Sequence, residues 1–284
     1  MTQRIPFIKM HGLGNDFVVL DAREHPLPPM TAAAARALAD RRTGIGCDQL
    51  VLLEPSDAPQ AGHAFRMRIF NADGSEVEAC GNAARAVALL HGEAVTIETR
   101  GGLIALEPLD GGARVDMGAP RFDWEAIPLA YAMDTAAMPV GWPMDQGELA
   151  QPMAVNVGNP HVIFFVDDAD AAALETLGPV IEHDPLFPER VNVNIASLAG
   201  PDHLKLRVWE RGAGLTRACG TGACATAVAG IRQGLVHSPV RVSLPGGDLV
   251  IAWTEGGSIL MNGPAAESFR GSFDWDDFAL GAEA

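Results

Sequence analysis

An internal repeat of a short cysteine segment constrains the fold of this chain more than any other feature. Residues 79–88 read ACGNAARAVA and residues 218–227 read ACGTGACATA, so six of the ten positions are identical. The preceding segments, 66–71 and 205–210, alternate polar and apolar residues at the same offset of 139, as half-buried strands do. Self-similarity at a fixed spacing indicates two copies of one structural unit.

Shorter matches extend the repeat in both directions, in the same order and at offsets between 139 and 145 residues. They pair Gly14-Asn15 with Gly158-Asn159, Gln49 with Asn192, Gly101-Gly102 with Gly246-Gly247, and Gly111-Gly112 with Gly256-Gly257. We therefore expect two copies of a strand–helix–strand–helix–hairpin unit, related by a pseudo-two-fold axis. The first domain is assigned to residues 1–122 with 268–284, and the second to residues 123–267.

Local signals place helices and strands within each copy. Thr31 is a suitable N-cap, and Gly92 and Gly234 are suitable ends for two apolar, buried helices. The predicted elements are helices over 31–41, 83–90, 170–181 and 222–232, and a final strand over 268–275. Residues 123–150 are rich in Pro, Met and Ala, and we expect them to connect the copies and to add a peripheral strand.

Composition and charge exclude several classes of protein. With 48% hydrophobic and 20% charged residues, the 284-residue chain has the mix of a globular protein with a real core. The formal net charge is −16 and no basic stripe is visible, so we expect neither nucleic acid nor a membrane as partner. No run approaches the roughly 20 apolar residues of a membrane span, and the N-terminus lacks a signal-peptide pattern, which predicts a cytoplasmic protein.

The few lysines and cysteines bear on cofactors. Only Lys9 and Lys205 could form the Schiff base that pyridoxal phosphate requires, and neither lies in a phosphate-binding glycine loop. The four cysteines contain no CxxC pair, so we expect neither a zinc ribbon nor a thioredoxin-type site. We predict no metal and no cofactor. In the cytoplasm these cysteines should be reduced thiols. Cys47 and Cys224 are interpreted as small core residues.

The two repeated cysteines, Cys80 and Cys219, each come directly before a predicted buried helix. Unpaired amides and the positive end of the helix dipole stabilise an anion at such a position. We expect a thiol there to reach the thiolate form near neutral pH, because its ordinary pKa of about 8.5 is lowered. The same amides can hold a carboxylate, so one turn offers both a base and an anion site.

Two equivalent thiols suggest the inversion of a stereocentre. Inversion requires a base that removes a proton from one face of a carbon and an acid that delivers one to the other face. The Cα–H of an amino acid is much less acidic than a thiol, so amide donors must stabilise the charge that flows into the carboxylate. The residues therefore predict an amino-acid epimerase that uses Cys80 and Cys219 and takes a small molecule as substrate.

Longer motifs around these cysteines resemble the diaminopimelate epimerase family from about residue 5 to about residue 275. The motifs are HGLGNDF at 11–17, GIGCDQ at 44–49, NADGSE at 71–76, CGN at 80–82, GNPH at 158–161, NVN at 192–194, ERGAG at 210–214 and CGTG at 219–222. The resemblance implies an α+β fold of two pseudo-symmetric domains, each a mixed β-sheet or barrel wrapped around a central helix, with the site in the cleft. It also implies pyridoxal-independent interconversion of LL- and meso-diaminopimelate, for lysine and peptidoglycan biosynthesis, by a homodimer.

The resemblance further assigns roles to individual residues. It implies that Cys80 and Cys219 are the acid/base pair, and that His161 and Glu210 lie near the thiols and tune them. The substrate-binding side chains that it implies are Asn15, Gln49, Asn71, Asn159, Asn192, Glu210 and Arg211, and the amide donors to the carboxylate are Gly81, Asn82, Gly220 and Thr221. The chemistry is suitable, because Arg211 can bind a carboxylate through two hydrogen bonds and Glu210 can accept from an ammonium.

Alternatives remain open at this level. Gly-Asn pairs are common in simple turns, which applies to Asn15, Asn82 and Asn159, and His161 is equally suited to a hydrogen-bonded place in the core. Ala83 and Leu215 depart from the family pattern, which commonly has glycine at the first position and often a polar residue at the second.

Three other functions are compatible with parts of the pattern. A proline or hydroxyproline epimerase shares Cys-Gly-Thr-Gly but usually carries Asp-Arg-Ser before it, unlike Glu210-Arg211-Gly212. A phenazine-type isomerase of the same fold lacks the cysteine pair. A dithiol redox protein would join Cys80 and Cys219 in a disulfide, but only an epimerase must exchange the Cα hydrogen of its substrate with deuterated water.

Overall fold

The computed structural model describes residues 4–56, 63–77, 80–144 and 147–279. Ala79 of the repeated segment lies outside these residues. The chain forms two compact units, one of Met1–Val115 with Gly263–Ala284 and one of Asp116–Asn262. None of the described helices is long and apolar enough to cross a membrane.

Among the described residues, the first unit contributes eight strands and two helices before the chain enters the second unit. They are β1 Arg4–Gly12, β2 Asn15–Asp21, α1 Ala32–Ala39, β3 Gln49–Pro55, β4 Phe65–Asn71, β5 Glu76–Val77, α2 Gly81–His91, β6 Val95–Thr99, β7 Gly102–Leu109 and β8 Gly112–Asp116. Strands β2 and β3 are parallel, as are β4 and β6, whereas β1 with β2, β3 with β4, and β6 with β7 are antiparallel.

In the described part of the second unit, nine further strands and two helices precede Leu260. They are β9 Gly141–Pro143, β10 Glu148–Ala150, β11 Met153–Asn156, β12 Pro160–Phe165, α3 Leu174–Glu182, β13 Asn192–Gly200, β14 His203–Glu210, β15 Gly214–Thr216, α4 Gly220–Arg232, β16 Val240–Leu244 and β17 Gly247–Ala252. The chain then continues through β18 Leu260–Pro264, β19 Ala266–Asp274 and α5 Asp276–Ala279.

The strand pairings of the second unit repeat those of the first. Strands β12 and β13 are parallel, as are β14 and β16, and β11 with β12, β13 with β14, and β16 with β17 are antiparallel. Helix α4 packs against strands β11, β12, β13, β14, β16 and β17 of its own unit, and α2 packs against β1, β7 and β19 of the first. The α+β fold of two related units, each with a mixed sheet around a central helix, is confirmed.

Most predicted elements are found where local signals placed them. The Thr31 hydroxyl caps α1 by accepting from the amide of Ala34 at 3.1 Å. Gly92 ends α2 with a φ of 83°, a left-handed conformation that glycine adopts without strain, and Gly234 follows the end of α4 with a φ of 70°. The final strand is present as β19.

Two predictions need correction. Helix α3 begins at Leu174 rather than at Asp170, because Asp170 and Ala171 lie in a turn and the Asp168 side chain accepts from the Asp170 amide. Residues 123–150 contain two short antiparallel strands, β9 and β10, rather than one peripheral strand. A two-stranded pair satisfies backbone groups that a lone strand would leave open.

Candidate active site

The two repeated cysteines cap the central helices of their units. Cys80 is the N-cap of α2 with φ/ψ of −143°/111°, and Cys219 is the N-cap of α4 with −131°/106°. Extended backbone at this position lets the first helical amides point outwards without a carbonyl partner inside the helix. The predicted position of both thiols at a helix N-terminus is therefore observed.

We define the Cys80 half-site as Cys80 with Asn15, Gln49, Asn71 and Asn82. Cys80 is half-buried, and its sulfur lies 4.0 Å from the Asn15 Oδ1. The Asn82 amide also donates to this oxygen at 3.2 Å, and the buried Arg85 donates to the Asn82 Oδ1 at 2.8 Å. The amide oxygen of Asn15 therefore faces both Cys80 and Asn82.

The side-chain amides of this half-site lie together at the ends of three adjacent strands. In the sheet register Gln49 pairs with Phe17 of β2 and with Asn71 of β4, so Asn15, Gln49 and Asn71 lie at neighbouring strand ends. The Gln49 Nε2 donates to the Asn71 Oδ1 at 3.2 Å. The Gln49 Oε1 is buried and finds no hydrogen-bond partner among the described residues. Such an oxygen is costly to bury unless a donor arrives, as the ammonium of a ligand would.

An ion-pair network that the motif analysis missed holds the side chain of Asn15 on the side away from Cys80. The Asn15 Nδ2 donates to Asp48 at 3.0 Å, and Arg41 bridges Asp48 and Asp16. Lys9 also contacts Asp16 and is itself buried. Asp48 therefore takes the amide nitrogen of Asn15, which leaves the oxygen to face Cys80.

This network should make the stability of the protein depend on pH. Burial raises the pKa of Asp16, but hydrogen bonds from Arg41 and Lys9 outweigh it and hold the pKa well below its usual range. A carboxyl with a lowered folded-state pKa stabilises the fold above its unfolded pKa, and this stability is lost as pH falls below about 4. Between about pH 5 and about pH 2.5 the wild type should lose about 2 kcal/mol more unfolding free energy than Asp16→Asn.

Urea unfolding at the two pH values measures this difference. Asp110→Asn, in the exposed turn between β7 and β8, is a matched control and should retain the wild-type pH dependence. An Asp16→Asn variant whose stability falls with acid as steeply as that of the wild type would contradict the role of this network.

We define the Cys219 half-site as Cys219 with Asn159, His161, Glu210 and Thr221. The Gly222 amide donates to the Cys219 sulfur at 3.3 Å, and the Thr221 hydroxyl lies 3.5 Å from it. The Asn159 Nδ2 donates to the Thr221 hydroxyl oxygen at 3.4 Å. A chain of polar contacts therefore ends at the sulfur of Cys219.

The protonation of Cys219 differs from the expectation for a helix N-terminus. Burial raises the pKa of the Cys219 thiol well above its usual range, and the carboxylate of Glu210 raises it further. The Thr221 hydroxyl and the Gly222 amide act in the opposite direction but do not outweigh burial. The predicted lowering of the pKa is wrong for Cys219, because only 4% of this residue is exposed and desolvation disfavours the thiolate.

His161 lies in the core of the second unit with no exposed surface. Burial lowers its pKa to about 3, and the guanidinium of Arg211 acts in the same direction, so the ring is neutral. Its Nε2 lies 2.9 Å from the Asn159 Oδ1, and its Nδ1 lies 3.0 Å from the Asn194 Nδ2. His161 therefore contacts Asn159 directly, and its hydrogen-bonded path to Cys219 runs through Asn159 and Thr221.

The last residue of β14 is Glu210, and the turn that follows begins at Arg211. The Asn192 Oδ1 accepts from the Arg211 amide at 2.9 Å, and the Asn192 Nδ2 donates to a backbone carbonyl at 2.8 Å. The Arg211 guanidinium is exposed and donates to the Glu189 carbonyl at 3.1 Å. Asn192, predicted to hold substrate, thus uses both ends of its amide to hold backbone in this structure.

A buried carboxylate on α3 holds the same turn. Glu182 is 3% exposed, and its two oxygens accept from the Gly212 amide at 2.9 Å and from the Trp209 indole at 2.7 Å. Sequence reasoning missed Glu182, Asp48 and Asn194 as supporting residues. Asp48 and Asn194 carried a signal, since they lie within the GIGCDQ and NVN motifs, whereas Glu182 lies in none of the quoted motifs.

The remaining cysteines lie in the core. Cys47 and Cys224 are both buried, and burial raises the pKa of Cys47 to about 11. In the described part of the chain no group of three or more His, Cys, Asp or Glu side chains is placed to hold a metal ion.

Solved structures that resemble the chain define its fold. A probable proline racemase from Agrobacterium radiobacter K84 is 18% identical, with a TM-score of 0.66 over 97% of this chain and 94% of that one. A hydroxyproline epimerase from Agrobacterium vitis is 16% identical, with a TM-score of 0.65 over 99% and 96%. A Bacillus anthracis phenazine biosynthesis protein of the PhzF family is 15% identical, with a TM-score of 0.65 over 95% and 99%. The class is therefore that of proteins with the racemase and PhzF fold, here with a cysteine capping the central helix of each unit.

The chain belongs to the diaminopimelate epimerase family. The model of that family, described as diaminopimelate epimerase, matches residues 7–122 and 153–267. A relative named diaminopimelate epimerase from Erythrobacter litoralis is 72% identical over 97% of this chain and 100% of its own length. Another of that name from Sphingopyxis alaskensis is 64% identical over 96% and 98%.

Proposed function

We propose that this protein interconverts LL- and meso-2,6-diaminopimelate without a cofactor, as its family membership indicates. The observation that carries the proposal is the occurrence of a thiol at the same N-cap position in two copies of one unit. One thiolate removes the Cα proton and the other thiol delivers a proton to the opposite face. The two thiols exchange roles when the reaction runs in reverse.

Helix N-termini supply the second requirement, which is stabilisation of the negative charge. The backbone amides of Gly81, Asn82, Gly220 and Thr221 lie in the first turns of α2 and α4, where helices have no internal acceptors for them. Donors aimed at the substrate carboxylate stabilise the charge that develops there as the Cα proton leaves, by about 3 kcal/mol each. The raised pKa of Cys219 supports a cycle in which this residue begins as the acid.

The remaining site residues are proposed to hold the two amino-acid ends of the substrate. The amides of Asn15, Gln49, Asn71, Asn159 and Asn192 can donate to carboxylates and accept from ammonium groups. Glu210 can accept from an ammonium, and the exposed guanidinium of Arg211 can bind a carboxylate. His161 and Glu210 are proposed to tune the thiols. The domains 1–122 with 268–284 and 123–267 would each supply one thiol.

Further proposals about the biological setting follow from the family. We propose that the enzyme acts in the cytoplasm as a homodimer and serves lysine and peptidoglycan biosynthesis. The substrate is a small molecule, and neither nucleic acid nor a membrane is a proposed partner.

Incubation with LL-diaminopimelate in deuterated water tests the proposed reaction. With a reducing agent present and pyridoxal phosphate absent, we expect deuterium at Cα and the appearance of the meso isomer, followed by NMR and chiral chromatography. L-proline under the same conditions should gain no label, which distinguishes the proline-type alternative. A protein that leaves both amino acids unlabelled, whatever the redox state of its thiols, would contradict the epimerase proposal.

A further inference from the structure

A chain of hydrogen bonds runs from the core of the second unit to the sulfur of Cys219. It begins at Asn194, which is fully buried on β13, and passes through His161, Asn159 and Thr221. The last contact joins the Thr221 hydroxyl and the Cys219 sulfur at 3.5 Å. Asn194 is the one member of this chain without a role in the proposed reaction.

The repeat provides an internal comparison for the buried start of this chain. His161 pairs with Asn192 in the β12–β13 register as Phe17 pairs with Gln49 in the β2–β3 register. Two residues further along the second strand of each pair, Asn194 corresponds to Val51. Phe17 and Val51 are completely buried and apolar, so the first unit forms the same strands without a polar pair. The fold alone therefore does not require Asn194.

The partners of Asn194 determine which nitrogen of His161 carries the proton. The Asn194 Nδ2 donates to the Val162 carbonyl at 3.3 Å, and a carbonyl can only accept. The second hydrogen of the same nitrogen therefore points to the His161 Nδ1, which must accept. Neutral His161 then carries its hydrogen on Nε2 and donates to the Asn159 Oδ1.

This order of donors decides whether a hydrogen-bond donor or an acceptor faces the sulfur of Cys219. Because the Asn159 oxygen is taken by His161, its Nδ2 faces Thr221 and donates to the hydroxyl oxygen. The Thr221 hydrogen is then left for the sulfur, where a hydrogen-bond donor favours the thiolate. In the first unit Asp48 takes the Asn15 nitrogen instead, so an amide oxygen faces Cys80.

Burial of Asn194 also disfavours folding in a way that packing does not offset. Its Oδ1 is buried and has no hydrogen-bond partner among the described residues, although it lies near Gly222 at the start of α4. A buried oxygen without a donor disfavours the folded state. The hydrogen bonds that Asn194 donates therefore explain an asparagine at this position better than the volume of its side chain does.

We propose that Asn194 is a positioning residue for Cys219: through His161 and Asn159 it orients the Thr221 hydroxyl to donate to the Cys219 sulfur. The catalytic part of this inference rests on the proposed epimerase function, whereas the hydrogen-bond order does not. The charged groups around the chain are Arg211, which disfavours a cationic His161, and Glu210, which disfavours the Cys219 thiolate. We call this chain of hydrogen bonds from Asn194 to Thr221 the relay. It counteracts the effect of Glu210 on the Cys219 thiolate without introducing a charge.

Kinetics of Asn194→Leu test the effect on the reaction. We expect kcat with LL-diaminopimelate to fall by about 10-fold to 100-fold while KM changes less than about threefold, because a hydrogen bond to a charged group is lost and substrate contacts remain. The double variant His161→Phe/Asn194→Val installs the apolar pair of the first unit. It should fold with wild-type or higher stability and lose activity at least as strongly.

Thr226→Val is the matched control for removing a buried polar group from this unit. Its hydroxyl is buried in α4 and has no hydrogen-bond partner among the described residues. This variant should keep kcat within about twofold of wild type, because no polar contact to the half-site is lost. Circular dichroism and urea unfolding of each variant establish that activity differences are not due to unfolding.

Nitrogen-15 NMR of the histidine rings measures the tautomer of His161, and so tests the order of hydrogen bonds independently of turnover. The His161 signals, assigned by their loss in His161→Gln, should show the Nε2–H tautomer and remain constant from about pH 5 to about pH 9. Asn194→Asp offers an acceptor to Nδ1 and should reverse the tautomer to Nδ1–H. The relay would be contradicted by an unchanged tautomer in Asn194→Asp, whether or not the protein epimerises diaminopimelate. A folded Asn194→Leu variant with wild-type kcat in an active enzyme would overturn the positioning role.

Discussion

Replacing either Cys80 or Cys219 by alanine is expected to lower kcat for epimerisation at least about 1000-fold. Each variant removes one of the two groups that must act on opposite faces of the same carbon, so the remaining thiol cannot complete an inversion. Fold stability should change much less, because Cys80 is half-buried and alanine fills most of the volume of Cys219. The measurement is the rate of conversion of LL- to meso-diaminopimelate by each purified variant.

The two core cysteines provide matched controls for this experiment. Cys47→Ala and Cys224→Ala remove thiols that are at least as buried as Cys219 but that do not cap a helix. Both should keep kcat within about threefold of wild type and lose about 1 kcal/mol of unfolding free energy from the small cavity. Near-normal inversion by either Cys80→Ala or Cys219→Ala would disprove the two-thiol mechanism, while loss of activity in all four variants would point to unfolding.

Glu182→Ala is expected to lower the unfolding free energy by about 3 kcal/mol and to raise KM about tenfold. The substitution leaves the Trp209 indole and the Gly212 amide without their buried acceptor. These two residues flank Glu210 and Arg211, at the end of β14 and in the turn after it. A displaced turn would misplace the groups proposed to bind the substrate. Urea unfolding and steady-state kinetics measure the two effects separately.

Glu175→Ala is the control for this prediction, because Glu175 lies on the same helix. Its side chain is 58% exposed and pairs with Arg207 at 2.8 Å. An exposed ion pair contributes less than about 1 kcal/mol, so this variant should retain both stability and KM. If Glu182→Ala were no less stable than Glu175→Ala, the carboxylate of Glu182 would not hold the turn as inferred.

Much of the architecture was predictable because its signals are local in the chain. The Thr31 cap, the glycines after α2 and α4, and the strand before each cysteine all act through neighbouring residues. The position of Cys80 and Cys219 at helix N-termini followed from the same signals and from the repeat. Helix α3 was predicted to begin too early, because the turn at Asp170 is held by the side chain of Asp168.

The partners of the site residues were not predictable in this way. Asn15 meets Asp48 across 33 residues, and Glu182 meets Gly212 across 30. Such contacts depend on strand register and on the side of the helix that packs against the sheet, neither of which a motif records. Asn192 illustrates the difference, since no motif records that its side-chain amide bonds the Arg211 amide and the Pro160 carbonyl.

The amino-acid sequence by itself determined the duplication, the two cysteines and the helix starts that present them, because repeats, caps and periodicity are properties of adjacent residues. Only the tertiary structure decided how each thiol is surrounded. Burial and Glu210 raise the pKa of Cys219 although it caps a helix, and Asp48 and His161 turn the two equivalent asparagines in opposite directions. Desolvation and the order of hydrogen-bond donors depend on groups that come into contact only when the sheet closes around its helix. For this physical reason the sequence by itself did not determine the surroundings of each thiol.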